Sequence, residues 1–189
     1  MLIVGTGGQG QITLLQILSE ASLIEGIDFK SSELHGLSQR GGSVEVHIRI
    51  GKEVYSPMLR LAGADLILGL EMQESLMAAG FADKETKFLI NKELIPILSQ
   101  SSLTEDQVLN YFKKISKKAF FVEAGKICQK ELGSAVLAGV YLISLASFKG
   151  LIPLKSRSIL KAIKLVIPEK YLQLNIEAFY LAEKSGFKI

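Results

Sequence analysis

Residues 1–10 have the sequence MLIVGTGGQG, and they decide the fold of this 189-residue chain. Four apolar residues predict a short β-strand, and the polar loop that follows has glycine at positions 5, 7, 8 and 10. Residues 11–25 then carry apolar side chains at helical spacing and stop before Gly26, a common type of helix terminator. Strand, loop and helix match the pattern G-x-G-x-x-G, whose glycines let the main chain approach a phosphate. The motif glycines Gly5, Gly7 and Gly10 are therefore candidate ligand-binding residues, while Gly8 and Gln9 between them are less typical of a dinucleotide site.

A second polar loop, residues 32–43 with the sequence SELHGLSQRGGS, follows a strand predicted to begin at residue 28. His35 can carry a proton or bind an anion, and Arg40 offers a planar fork for a carboxylate or a phosphate. We expect both loops to lie at the carboxyl ends of adjacent parallel strands, where open α/β sheets bind ligands. The alternative is a surface loop that caps the sheet or docks on a partner. The other candidate residues of this loop are Ser38, Gln39, Gly41 and Gly42.

The remaining sequence predicts an α/β fold with a Rossmann-like, open and mostly parallel sheet. Residues 44–50 alternate between apolar and polar side chains and turn at Gly51-Lys52, which predicts a β-hairpin with residues 54–56. Further strands are predicted at residues 64–70, 87–91 and 119–122, and a capping box at Thr104 and Gln107 begins a helix. From residue 123 the pattern is mostly helical. We expect a single domain over residues 1–189, with a β-hairpin insertion and C-terminal helices.

Composition argues against several classes of protein. The chain has a net charge of +3, and its aromatic residues do not alternate with lysines as a stacking surface for nucleic acid requires. The longest nearly apolar stretch, residues 136–148, is shorter than the roughly 20 residues that cross a bilayer. No signal peptide is recognisable, so we expect a cytoplasmic protein. The single cysteine, Cys128, cannot form an intrachain disulfide or hold an iron–sulfur cluster.

Other polar residues carry weaker signals. His35 and His47 lie on different predicted elements without a third ligand at suitable spacing, so we expect no metal site. His47 stands in the alternating strand between Glu45 and Arg49, and we expect it to be half-exposed and structural. Glu33 lies about where an acidic ribose ligand would follow the glycines, which leaves a free-standing dinucleotide-binding protein as an alternative function. A purely structural scaffold subunit is a third possibility.

Several stretches, in this order along the chain, resemble one enzyme family. They are IVGTGGQG (3–10), SELHGLSQRGGSV (32–44), HIR (47–49), SP (56–57), GADLILGLE (63–71), IP (152–153), IPEK (167–170) and LNIEAF (174–179). Together they resemble the gamma-type subunit or domain of 2-oxoacid:ferredoxin oxidoreductases, and most closely the small subunit of indolepyruvate ferredoxin oxidoreductase. The similarity extends over nearly the whole chain.

The resemblance implies a subunit of an enzyme that converts a 2-oxoacid and coenzyme A to an acyl-CoA and carbon dioxide, passing electrons to ferredoxin. It also implies that thiamine diphosphate and iron–sulfur clusters belong to a larger partner subunit, so that this chain binds neither and is inactive alone. By the same resemblance, the phosphates of coenzyme A would lie against Gly5, Gly7, Gly8, Gln9 and Gly10. The segment from His35 to Gly42 would lie toward the shared active site or the subunit contact.

Hydrophobic residues make up 48% of the chain, a high share for a soluble domain. The stretch at residues 136–148 is apolar all round a helix rather than on one stripe. We therefore expect the isolated chain to form a homo-oligomer, because large apolar patches usually mark interaction sites.

Overall fold

The protein folds around a six-stranded β-sheet, described by a computed structural model over residues 1–36, 42–95 and 103–187. The strands are β1 (Leu2–Thr6), β2 (Asp28–His35), β3 (Ser43–Gly51), β4 (Leu66–Gly69), β5 (Lys87–Asn91) and β6 (Ala119–Val122). The helices are α1 (Gln11–Glu25), α2 (Met72–Met77), α3 (Glu105–Ile115), α4 (Ala124–Leu132), α5 (Ala138–Phe148), α6 (Ser156–Val166) and α7 (Glu169–Glu183). Strand order is β2-β3-β1-β4-β5-β6, and β1, β4, β5 and β6 pair in parallel. The predicted α/β fold with a mostly parallel sheet is confirmed.

The predicted β-hairpin of residues 44–50 with residues 54–56 is wrong, because the first of these strands pairs with the strand before it instead. β3 pairs antiparallel with β2, from Asp28 opposite Gly51 to His35 opposite Val44. Residues 54–56 form no strand, and the Val54 N–H donates to the Asp28 carboxylate at 2.9 Å instead of to a neighbouring strand. The alternating pattern identified β3 correctly, but alternation alone does not say which segment pairs with a strand.

The position of β3 also corrects the expected arrangement of β1 and β2. β3 pairs antiparallel with β1, from Leu2 opposite His47 to Thr6 opposite Ser43. β1 and β2 are therefore not neighbours, although they run in the same direction on either side of β3. Because both end at the same edge of the sheet, the glycine-rich loop and the loop after β2 still lie on that edge.

Helices cover both faces of the sheet and enclose two apolar cores. One core packs α1 and the C-terminal helices against the first face, with Ile3 of β1 and Tyr141 of α5 among its buried side chains. The other packs α2 and α3 against the second face through residues such as Met72 and Phe112. The chain therefore leaves β1 toward one face and β4 toward the other. This change of side between neighbouring parallel strands leaves a crevice outside their carboxyl ends.

α5 accounts for the most apolar stretch of the sequence. Every residue from Ala138 to Ala146 is buried, because α1, α4, α6, α7 and β5 all contact this helix. Within residues 136–148 only Val136, at 78% exposure, is strongly accessible. The chain's own helices, together with the sheet, thus bury this segment on all sides. Self-association of the isolated chain stays a prediction, and α5 does not support it. Of the helices in the described ranges, none has the length and apolar character to span a membrane.

His47 on β3 is fully buried rather than half-exposed, which corrects the expectation from the sequence. The Leu59 N–H donates to His47 Nδ1 at 3.2 Å, and the Phe81 ring packs edge-on at 5.1 Å. Burial lowers the pKa of His47, so the imidazole is neutral with its proton on Nε2. Alternation could not reveal the segment that crosses over this position. His47 anchors that segment to the sheet, which agrees with the expected structural role.

Candidate functional site

The glycine-rich loop between β1 and α1 is a tight turn that requires glycine. Gly8 and Gly10 have φ values of +104° and +82°, a region that L-residues rarely adopt. Among the described residues, nothing but chain neighbours lies within 4 Å of the place where their Cβ atoms would be. A Cβ atom at Gly5 would instead lie 2.5 Å from Gln9 Oε1. Glycine is thus needed at position 5 because a side chain would clash there. At positions 8 and 10 it is needed because the main chain has a positive φ, and the space beside both residues is open.

Two glutamines hold this turn in place. Gln9 Oε1 accepts from the Thr6 N–H at 2.8 Å, while Gln9 Nε2 donates to the Leu70 carbonyl after β4 at 3.2 Å. The buried Gln11 donates from Nε2 to the Thr6 carbonyl at 2.8 Å. The sequence analysis counted Gln9 among the ligand-binding residues, but both ends of its amide contact the main chain. Gln9 therefore ties the turn to β4.

The amino end of α1 lies directly behind the turn and has no side-chain cap. Gly10 is the N-cap residue, no acidic residue occupies the first helical turn, and Leu14 makes the first i to i−4 bond, to the Gly10 carbonyl at 3.1 Å. The N–H groups at the start of a helix have no such partner within it, and the helix dipole adds positive potential at that end. This arrangement favours an anion such as a phosphate group.

The second loop meets the glycine turn through the main chain. The Gly7 N–H donates to the Gly42 carbonyl at 2.8 Å, and the Gly36 N–H donates to the Ser43 carbonyl at 3.0 Å. The main chain of His35 ends β2 opposite Val44. Four of the predicted site residues, namely Ser38, Gln39, Arg40 and Gly41, lie outside the described residues. The structure thus joins the ends of both predicted loops at one edge of the sheet.

Two clefts flank the turn. The large cleft, about 530 Å³, runs from the start of α1 to α7 and is lined by Gln9, Gly10, Thr13, Leu14, Ser134, Val136, Leu137, Gly139, Val140, Ile167, Pro168, Tyr171, Leu174 and Asn175. The small cleft, about 170 Å³, lies over the ends of β1, β4 and β5 and is lined by Gly8, Gln9, Leu70, Glu93, Ile95, Ala135, Val136, Ala138 and Gly139. The small cleft thus occupies the crevice between β1 and β4, the place where open α/β sheets bind ligands.

Asn91 at the end of β5 is a site residue that the sequence analysis missed. It is 1% exposed and its amide makes three hydrogen bonds. Nδ2 donates to the Leu70 carbonyl at 3.2 Å and to Glu93 Oε2 at 2.8 Å, while Oδ1 accepts from the Gly125 N–H at 3.0 Å. The Leu70 carbonyl thus accepts from both Gln9 and Asn91. A polar residue after a buried strand was the available signal, but its partners come from distant segments.

Glu71, which follows β4, is a buried carboxylate with a structural role. It is 1% exposed and accepts from the Glu74 N–H at 2.7 Å and from the Ile95 N–H at 3.2 Å. Burial raises the pKa of Glu71, and the hydrogen bonds from the main chain oppose that rise. This carboxylate caps α2 and fixes the segment after β5, so its oxygen atoms already have partners within the protein.

The sequence also matches a known family as a whole. A family model described as pyruvate ferredoxin/flavodoxin oxidoreductase covers residues 1–184. The chain belongs to this family. Indolepyruvate oxidoreductase subunit IorB of Archaeoglobus fulgidus is 31% identical over 183 residues, which cover 94% of this chain and 90% of that protein. The family resemblance seen in the sequence is confirmed, and this oxidoreductase-family chain is a subunit of a 2-oxoacid:ferredoxin oxidoreductase. A free-standing dinucleotide-binding protein is not favoured.

Solved structures share the fold of this oxidoreductase subunit. The gamma subunit of a keto/oxoacid ferredoxin oxidoreductase from Geobacter sulfurreducens matches with a TM-score of 0.69 and 20% identity, over 96% of this chain and 94% of that chain. A 2-oxoglutarate:ferredoxin oxidoreductase from Magnetococcus marinus, solved with 2-oxoglutarate, coenzyme A and succinyl-CoA bound, matches with a TM-score of 0.70 and 14% identity. The match covers 96% of this chain and 30% of that longer chain.

The thiol chemistry of this oxidoreductase subunit does not fit an iron–sulfur cluster. Cys128 is its single cysteine, and it is fully buried in α4. Burial raises the pKa of the Cys128 thiol to about 11, so it stays protonated at neutral pH and is a poor ligand and nucleophile. Within the described ranges, no group of three or more His, Cys, Asp or Glu side chains could hold a metal ion. We therefore assign no electron-transfer step to this chain.

Proposed function

We propose that this chain forms the coenzyme A-binding side of the active site in an oxidoreductase that acts on an aryl 2-oxoacid, with indolepyruvate as the first candidate. In that reaction the 2-oxoacid loses its carboxylate as carbon dioxide, and its acyl carbon forms a thioester with coenzyme A. Two electrons pass to ferredoxin and one proton is released. The identity of 31% to an indolepyruvate oxidoreductase subunit supports this choice of substrate.

The observation that carries the proposal is the uncapped amino end of α1 behind a glycine turn with positive φ at Gly8 and Gly10. Coenzyme A carries a diphosphate and a further phosphate, and the main chain at these glycines leaves room for such a group to approach. No acidic residue in the first turn of α1 opposes a negative charge there. A solved enzyme with this fold holds coenzyme A, which agrees with this choice of ligand.

The second loop belongs to the same proposed site. The Gly7 N–H donates to the Gly42 carbonyl within the glycine turn, so the segment between β2 and β3 ends beside residues 5–10. Through His35 and Arg40 this segment has the chemistry to bind a carboxylate or a phosphate. We place it toward the active site that is shared with the partner subunit, with Ser38, Gln39 and Gly41 as further contacts.

The proposed partner is a large subunit that holds thiamine diphosphate and the iron–sulfur clusters, and that ferredoxin contacts. When bound there, thiamine diphosphate supplies the chemistry that breaks the bond between the oxo carbon and the carboxylate. The residues of this chain bind and orient coenzyme A and exclude water from its phosphates. A cytoplasmic location belongs to the same proposal.

The Gln9→Met substitution tests whether Gln9 positions the turn. Methionine has a similar length but can neither accept from Thr6 nor donate to Leu70, so the turn loses its tie to β4. In the complex with the large subunit, we expect the apparent KM for coenzyme A to rise about tenfold while kcat changes little, since a displaced turn would lose about one of its own hydrogen bonds to the ligand, worth roughly 1–2 kcal/mol.

Gln107→Met is the matched control for this experiment. Gln107 also uses its amide within the protein, in the capping box of α3 with Thr104, but α3 does not line either cleft. The control variant is expected to lose a similar amount of thermal stability and to keep the KM of the wild type. Equal KM values for the Gln9 and Gln107 variants would show that Gln9 contributes to stability alone.

A panel of 2-oxoacids tests the proposed substrate class. The complex is assayed for ferredoxin reduction with indolepyruvate, phenylpyruvate, pyruvate, 2-oxoisovalerate and 2-oxoglutarate, each with and without coenzyme A. We expect kcat/KM for the aryl 2-oxoacids to exceed that for the others by more than about tenfold, a difference of roughly 1.4 kcal/mol in transition-state binding. A preference for pyruvate or 2-oxoisovalerate would contradict the assignment of an aryl 2-oxoacid as substrate. Turnover that does not need coenzyme A would contradict the assignment of coenzyme A as the acyl acceptor.

A further inference from the structure

The two clefts beside the glycine turn differ in electrostatic character. Among the described residues, no charged side chain lines the large cleft, and the uncapped amino end of α1 borders it at Gly10 and Thr13. Of the described residues that line the small cleft, one is charged, the exposed Glu93. A phosphate is therefore favoured at the start of α1, on the side of the large cleft, and disfavoured in the part of the small cleft that Glu93 lines, where it would meet a carboxylate at short range.

Hydrogen bonds fix both the main chain and the side chain of Glu93. Its carbonyl accepts from the Met72 N–H at 2.9 Å, and its N–H donates to the Asn91 carbonyl at 2.8 Å. Its Oε2 atom accepts from Asn91 Nδ2 at 2.8 Å, and the Asn91 amide is itself fixed by Leu70 and Gly125. In the part of the chain that the structure describes, Glu93 Oε1 has no hydrogen-bond partner. Among these described residues, one carboxylate oxygen is thus held at the cleft without a donor from the protein.

We propose that Glu93 is a specificity-determining residue, which accepts a hydrogen bond from an uncharged donor group of the coenzyme A molecule held by the glycine turn. The donor is a hydroxyl, an amide N–H or an amino group, all of which coenzyme A carries in addition to its phosphates. This inference rests on the proposed function. It sets the direction of the ligand, with the phosphates toward the start of α1 and an uncharged polar part over the ends of β4 and β5.

The chemistry of the cleft favours this donor over a metal ion. A hard cation such as Mg²⁺ or Ca²⁺ takes several oxygen ligands, and within the described ranges Glu93 is the one acidic side chain that lines the small cleft. The remaining lining is mostly apolar, including Ile95, Val136 and Ala138. A hydrogen bond to an ionised acceptor is stronger than one between neutral groups, and a site that offers this acceptor rejects a ligand that lacks the donor.

The test is Glu93→Gln, measured in the complex of this chain with its large subunit. The amide keeps the size of the side chain, and its oxygen can still accept from Asn91. The new NH₂ group would then occupy the position of the carboxylate oxygen that accepts from coenzyme A. It would therefore face the donor group of the ligand, and two donors cannot form a hydrogen bond with each other. We expect the apparent KM for coenzyme A to rise about tenfold at nearly constant kcat. We expect the same factor for dephospho-coenzyme A, because the contact does not involve the 3′-phosphate.

Glu85→Gln is the control, because Glu85 is an exposed carboxylate paired with Lys118 at the opposite edge of the sheet, before β5 begins. It should leave both KM values unchanged. A lower KM for coenzyme A in Glu93→Gln would mean that the carboxylate repels a phosphate, and an unchanged KM would mean that it does not contact the ligand. Either result overturns the inference. If the Gly10 variant described in the Discussion also keeps its coenzyme A affinity, the proposed function itself is wrong.

Discussion

The Gly10→Val substitution is expected to raise the apparent KM for coenzyme A on the order of 100-fold, because two hydrogen bonds to a charged ligand at about 1.5 kcal/mol each would be lost. Gly10 has a φ of +82° and is the N-cap residue of α1. Valine strongly disfavours this region, so the turn must either bear about 1–3 kcal/mol of strain or move. A moved turn no longer presents the amino end of α1 to the phosphate.

Gly26→Val is a close control for that experiment. Gly26 lies at the other end of α1 with a φ of +66°, and, as at Gly10, none of the described residues beyond its chain neighbours lies within 4 Å of the place of its Cβ atom. Both variants therefore introduce the same side chain into the same backbone region with similar open space. We expect comparable losses in melting temperature, but an increased KM for coenzyme A in the Gly10 variant alone. Equal KM values in the two variants would remove coenzyme A from the glycine turn.

The sequence predicted the parts of the structure that depend on local patterns. The bounds of α1, β5 and β6 agree with the expected ranges, because helical spacing, a C-terminal glycine and short apolar runs are properties of each segment alone. The capping box of Thr104 and Gln107 is also present, with both of its hydrogen bonds. The motif also predicted a tight turn that includes Gly10, and the φ of +82° at this residue agrees, whereas the positive φ of Gly8, which is not a motif glycine, becomes visible only in the structure.

What the sequence missed depends on contacts between distant segments. His47 was expected to be half-exposed because its neighbours in β3 alternate, but the main chain at Leu59 crosses over it. The hairpin partner of β3 was wrong for the same reason, since alternation does not encode pairing. Asn91 and Glu93 became visible as site residues only when β4, β5 and α4 were in place. The roles of His35 and Arg40 stay predictions.

The isolated chain is expected to show no oxidation of any 2-oxoacid. Its single cysteine, Cys128, is buried and has a raised pKa, so it cannot supply the thiolates of an electron-transfer cluster. The chain's contribution to the reaction, in this account, is to hold coenzyme A beside chemistry that the large subunit performs. Activity should therefore depend on both proteins, and the difference between the isolated chain and the complex should be close to all or none.

The most direct measurement is the reconstitution of activity from separately purified subunits. Ferredoxin reduction by indolepyruvate and coenzyme A is followed for each subunit alone and for the large subunit with increasing amounts of this chain. We predict no turnover with either protein alone and activity that rises with added chain and saturates at a fixed subunit ratio. With the Gly10 variant in place of the wild type at low coenzyme A concentration, we predict a rate lower by a factor on the order of 100, in line with its raised KM. Turnover by this chain alone, or by the large subunit at an undiminished rate without it, would contradict the account.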